Sequence, residues 1–220
     1  MTAVADVLGA LERVRDPELD QSLVELGFVA GVEVDGEPVV VRLRLPTYFC
    51  APNFAFLMVA DARAAVEALP GVRWARIELE DHFAADEINA AVSRDAGFVD
   101  AFPDHASDEL DDLRILFQRK ALMARQGRVC ERLPVGAIAA MRLGELEGAD
   151  ADRCRELRCE LGIDASPDAP AFVTGQGVPI AAADVPRFLR LARLVSTSLE
   201  GNAGLCRGLL KTRYDLETAA

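Results

Sequence analysis

The residues of this chain best suited to chemistry are its five cysteines, Cys50, Cys130, Cys154, Cys159 and Cys206, and its two histidines, His82 and His105. Scattered and odd in number, the cysteines do not make a disulfide framework and suit a reducing cytoplasm. Nor do they take a standard zinc spacing with the histidines. Cys154 and Cys159, five apart on a helix, point ~140° away from each other, so they are expected to be structural. Cys130 and Cys206 are isolated. Cys206, in Asn202-Ala203-Gly204-Leu205-Cys206-Arg207, becomes a second ligand only if folding brings it near Cys50.

Cys50 stands apart because of its setting, Leu45-Pro46-Thr47-Tyr48-Phe49-Cys50-Ala51-Pro52-Asn53, between an expected strand and an expected helix. The unpaired N–H groups and partial positive charge of a helix start stabilise a thiolate. Thiolates are the form of cysteine that binds metals or attacks electrophiles. Thr47 and Asn53 add a hydroxyl and an amide that could orient the sulfur or its cargo. The alternative is a small buried hydrophobe, as free cysteines often are. Asp16 before Pro17 reads first as a helix cap. That position is compatible with closeness to the cysteine loop. Glu18 and Glu25 read as a solvated face, and His82, at the end of a strand, reads as a surface residue. Gly175-Gln176-Gly177 lacks the lysine and hydroxyl residue of a phosphate loop.

The elements that position these residues can be read from periodicity. Val4, Val7, Leu8, Leu11 and Val14 recur at helical spacing and predict a helix over 3–15. Asp16-Pro17 stops it and begins a short helix through Leu23, closed by Gly27. Strands are predicted over 28–34 and 39–45, joined by an Asp35-Gly36 turn. A helix over 53–69 and a strand over 72–80 follow. The order helix-strand-strand-helix-strand predicts a small α/β sandwich. Beyond it, helices are predicted over 84–96, 108–126 (with Ser107 as cap), 151–161, 184–199 and a short 202–211. A short hairpin flanks residues 174–177. The fold class is therefore α+β, with an α/β domain over 1–83 and a mainly helical extension over 84–220.

Four separated motifs form a connected pattern: Asp16-Pro17-Glu18-Leu19; Leu23-Val24-Glu25-Leu26-Gly27-Phe28-Val29; the loop ending in Cys50; and Leu69-Pro70-Gly71-Val72. In that order the segment 2–83 resembles the SufT/PaaD-type assembly family, also called the MIP-eighteen-like domain. The resemblance implies delivery of iron or iron–sulfur clusters to client proteins, with transient cargo on Cys50. It also carries over Asp16 as the turn aspartate and Thr47 as the loop threonine. Two departures are visible. The family more often places its threonine four residues before the cysteine and a proline directly after it. Here Thr47 lies three before Cys50, Pro46 takes the fourth position and Ala51 precedes Pro52.

Composition bounds the partners. The net charge is −12, with 51% hydrophobic and 27% charged residues, as in a soluble globular protein. Residues 1–83 hold 7 Arg and Lys against 14 Asp and Glu, and residues 84–220 hold 17 against 22. Two acidic halves repel phosphates, so neither nucleic acid nor anionic membrane is an expected partner. No run approaches the ~20 apolar residues of a membrane span, and no signal peptide is expected. The expected protein is a cytoplasmic accessory factor, not an enzyme. Its partners would be a client metalloprotein, with a multicomponent oxygenase as one choice, and other assembly factors, with a homodimer as one role of the extension. A cargo-free adaptor and a Cys50-dependent enzyme are the alternatives.

Overall fold

A computed structural model describes residues 2–103 and 110–216. They form two compact units. The first comprises Met1–Leu110 together with Asn202–Ala220, and the second comprises Asp111–Gly201. The first unit thus runs past residue 83 and takes in the last turns of the final helix. The expected Ser107 cap, and His105, lie outside the described residues.

The first unit opens with α1 (Val4–Leu11), then β1 (Val29–Glu33), β2 (Val39–Arg44), α2 (Pro52–Glu67), β3 (Ala75–Glu80), α3 (Ala85–Ser93) and the short α4 (Phe98–Ala101). The sheet order is β1-β2-β3. β1 and β2 pair antiparallel as a hairpin, with Val32 opposite Val41. β2 and β3 pair parallel, with Val41 opposite Ile77. Parallel neighbours need a crossover, and α2 supplies it. Val39, Val41 and Leu43 of β2 and Ala75, Ile77 and Leu79 of β3 share one core with Val7, Leu11, Val59 and Val66 of α1 and α2. Arg42 and Arg44 of β2 and Arg76, Glu78 and Glu80 of β3 take the alternate positions, with Arg44 Nε 2.8 Å from Glu80 Oε2.

The helix expected from Pro17 is a set of turns. Asp16 Oδ1 accepts from Glu18 N and Leu19 N, at 2.8 and 2.9 Å. Asp20 then takes a positive φ of 51°, which ends any helix there. A single helical turn starts later, at Ser22. Ser22 Oγ accepts from Glu25 N while Glu25 Oε2 accepts from Ser22 N, a reciprocal capping pair. Gly27, at φ 75°, closes that turn, and Phe28 N reaches back to Leu23 O, so the expected C-cap glycine is in place. Glu25 is exposed, yet it caps.

The second unit holds α5 (Leu110–Cys130), α6 (Ala149–Glu160) and the start of α7 (Val185–Arg213). Three short 3-10 turns join them. The expected hairpin is reduced to one bridge, Val173 opposite Pro179. Gln126 pins that segment to α5, donating to Val173 O and accepting from Val173 N. Cys130 and Cys154 are buried, and burial pushes both thiols up to about 12. Cys159 is exposed, so Cys154 and Cys159 face different surroundings, as their spacing predicts. Helices expected separately over 184–199 and 202–211 are one continuous helix. No helix among the described residues is long and apolar enough to cross a membrane.

Candidate functional site

The loop 45–51 leaves the central strand β2 and enters α2. Pro52 occupies the first helical position, where its missing N–H costs nothing. Cys50 sits two residues before that start, half-buried. Thr47 Oγ1 lies 3.3 Å from Cys50 Sγ, in hydrogen-bond contact. The same hydroxyl accepts from Phe49 N, so it ties the loop to its sulfur. The spacing of three residues, with Pro46 ahead of it, therefore still delivers the threonine to the cysteine. Asn53 does not take the expected role: its Oδ1 accepts from Phe54 N. Beside the thiol, Tyr48, Phe49 and Phe83 are 47%, 77% and 46% exposed. Their ring centroids lie 5.0 to 6.3 Å apart, which makes an open aromatic rim.

His82 is not on the surface. It is 5% exposed, and its Nε2 lies 2.7 Å from Cys50 O. Its Nδ1 accepts from Ala84 N, which assigns the proton to Nε2 and makes that nitrogen the donor to the carbonyl. Burial, and secondarily the Arg213 charge, hold its pKa below the ordinary value against the opposing effect of the Cys50 carbonyl. Both ring nitrogens are committed to backbone groups, so this imidazole braces the loop and is not aimed at the sulfur. The alternating strand 75–80 predicts where His82 leaves the sheet. What it meets there depends on the β2–α2 loop, which is more than thirty residues away in sequence.

Asp16 is 8% exposed. Burial pushes its carboxyl up to about 6, against the lowering effect of the Leu19 and Glu18 N–H groups. It caps a turn and not the expected helix, and its buried negative charge is a separate property.

The end of α7 completes this unit. Ala203 and Leu210 belong to its core, with Cys206 packed against it. These positions recur at helical spacing on one face. Arg207 Nη1 donates to Gln21 Oε1 at 2.6 Å, on the turn that Asp16 begins. Arg213 Nη1 donates to Leu45 O at 3.1 Å, at the root of the cysteine loop, and its Nη2 donates to Asp81 O beside His82. Burial, then the negative charges of Asp16 and Cys50, push the Cys206 thiol up to about 11. Among the described residues, no three His, Cys, Asp or Glu side chains come together tightly enough to hold a metal ion by themselves.

This fold and site define a class: a small α/β scaffold that presents a braced thiol, rimmed by open aromatic rings, to something outside itself. Residues 4–79 match the family described as iron-sulfur cluster assembly protein. An uncharacterised protein of Methanocaldococcus jannaschii is 37% identical over 90 residues, which cover 40% of this chain and 93% of that relative. Iron-sulfur cluster carrier proteins of Deinococcus radiodurans and Synechocystis are 38% and 41% identical over 72 and 73 residues, 33% of this chain in each case. The chain matches only 20% of the length of either carrier. No solved structure matches. The chain belongs to the iron–sulfur cluster assembly protein family.

Proposed function

We propose that this protein takes an iron–sulfur cluster, or iron, onto Cys50 and hands it to a client metalloprotein. The carrying observation is the braced thiol. Thr47 touches Cys50 Sγ, and His82 holds the Cys50 carbonyl, so the donor is positioned before any cargo arrives. Thiolate is a soft donor that suits iron and its clusters. A half-buried thiol with few partners from its own chain suits release, since the remaining ligands then come from a client or a second assembly factor. The exposed rings of Tyr48, Phe49 and Phe83 would rest against that partner. The site works by ligand exchange, in a reducing compartment that keeps the thiol free.

The test is anaerobic loading followed by transfer. Wild-type protein is expected to take up iron and acid-labile sulfide and to activate an apo-client, for which an iron–sulfur oxygenase component is one choice. Cys50→Ala is expected to lose both. If Cys50→Ala matures the client as well as wild type, cargo does not ride on this thiol and the chain is an adaptor.

A further inference from the structure

We propose that Arg213, the last residue of α7, is a positioning residue of the cargo site: its guanidinium bridges the two loops that carry Cys50 and His82 and holds the thiol and the aromatic rim in register for a partner. The proposal rests on the reading of Cys50 above, and Arg213 lies far outside the segment 4–79 that matches the family.

The site is built on two loops, 45–51 after β2 and 81–84 after β3. These strands are parallel neighbours, so both loops leave the same end of the sheet. Two hydrogen bonds join the loops directly: His82 Nε2 to Cys50 O at 2.7 Å, and Phe83 N to Tyr48 O at 3.1 Å. Arg213 adds a link from outside both. Its Nη1 donates to Leu45 O at 3.1 Å and its Nη2 to Asp81 O at 2.5 Å, so one fork spans the first residue of each loop. A guanidinium is planar and its donors keep a fixed geometry, and it therefore sets the separation of the two loop roots. Tyr48 and Phe49 come from one loop and Phe83 from the other, with the Phe49 and Phe83 centroids 6.0 Å apart. Loops that part would open the rim and release the Cys50 carbonyl together.

Two further observations show that this link is held under constraint. Asp81 stands at φ 52°, in the left-handed region, where a residue other than glycine persists only if its surroundings hold it. The Arg213 bond falls on the carbonyl of this residue, directly before His82. The fork is also anchored at its base. The Tyr214 ring centroid lies 5.1 Å from Arg213 Cζ and 4.9 Å from Arg44 Cζ, and Tyr214 packs against the first core. Leu210 in that core and Arg207 on Gln21 fix the same helix independently. Arg213 touches neither the sulfur nor the cargo. It acts through Leu45 and Asp81, and so through the brace that His82 gives to Cys50.

Arg213→Gln and Arg213→Lys in the full-length protein test this. Amide hydrogen exchange, read residue by residue by NMR, is expected to rise about tenfold at Phe49 and Phe83 in both variants, the effect of losing one or two net hydrogen bonds. Exchange at Val41 and Ile77 in the sheet is expected to stay as in wild type. Lysine keeps the charge but offers one compact donor head, so it is expected not to rescue. Arg207→Gln, which removes a tether of the same helix, is expected to leave Phe49 and Phe83 unchanged. Anaerobically loaded Arg213 variants are expected to hold wild-type amounts of iron and to pass it roughly tenfold more slowly to a ferredoxin stripped of its cluster. Wild-type exchange at Phe49 and Phe83, a rise spread evenly over the sheet, full rescue by lysine, an equal effect of Arg207→Gln, or transfer at the wild-type rate each overturns the positioning role and leaves the Cys50 reading standing. If Cys50→Ala matures the ferredoxin as wild type does, the Cys50 reading falls and the positioning role falls with it.

Discussion

At the scale of single residues, Asp16 carries two opposed roles. Its Oδ1 satisfies two backbone N–H groups, while burial of its charge raises its pKa from 3.8 to about 6. A folded-state pKa above the unfolded one means that the native state holds the proton more tightly. Stability from this group is therefore full below about pH 4 and is lost as pH rises through about 6. By pH 7 the loss is about 3 kcal/mol at most. Asp16→Asn keeps an oxygen for the two N–H groups and discards the charge. It is expected to raise the unfolding free energy at pH 7 by about 1–3 kcal/mol, with the gain vanishing near pH 4. Asp16→Ala discards the cap and costs about 1 kcal/mol relative to Asn. Urea unfolding at both pH values measures these differences. A more stable Asp16→Asn protein that delivers cargo poorly would mark the charge as retained for function.

At the scale of elements, the last helix departs most from what local sequence suggests. Gly201, Gly204 and Gly208 each weaken a helix by about 1 kcal/mol relative to Ala, and they make 202–211 read as a separate piece. Helix α7 nevertheless runs unbroken from Val185 to Arg213. Packing of Ala203, Cys206 and Leu210 on the first core, with the Arg207 and Arg213 tethers, outweighs those local costs. A Cβ added at Gly204 or Gly208 would meet nothing within 4 Å. Gly208→Ala is therefore expected to stabilise the protein by about 0.5–1 kcal/mol without altering cargo loading. Thermal unfolding and anaerobic iron loading check the two halves of that statement. An Ala substitution that destabilised the chain would show that the helix there is not continuous.

At the scale of the whole molecule, the five thiols are graded by burial. Cys159 is exposed, Cys50 and Cys206 are half-buried, and Cys130 and Cys154 are buried. Reaction requires thiolate and access. With a chromogenic disulfide reagent under native conditions, Cys159 is expected to react first. Cys130 and Cys154, whose pKa values burial raises to about 12, are expected to react only on unfolding. Bound iron cargo should protect Cys50 and leave Cys159 untouched, which mass spectrometry of the labelled protein resolves. The overall charge of −12 sets the background for this site, repelling polyanions and drawing cations toward the thiols.

Local order and periodicity were enough to determine the α/β layout, the hairpin at Asp35-Gly36, the crossover helix and the isolation of Cys50 between strand and helix. Each of these is dictated by neighbours within a turn or two, where apolar spacing and turn residues act directly. Asp16 as a backbone acceptor and Gly27 as a stop were legible for the same reason, although the short helix expected between them is a set of turns. What only tertiary structure decided is which distant groups meet at the loop. His82 reads as a strand-end surface residue, yet buries to hold the Cys50 carbonyl. Asn53 reads as a helper of the sulfur, yet turns to its own backbone. Arg213 is separated by more than one hundred and fifty residues from Leu45, whose carbonyl it holds, and no local pattern encodes their approach. Those pairings arise when apolar faces of separate elements seek one shared core, and the free energy of that burial is a property of the assembled layers, not of any one segment.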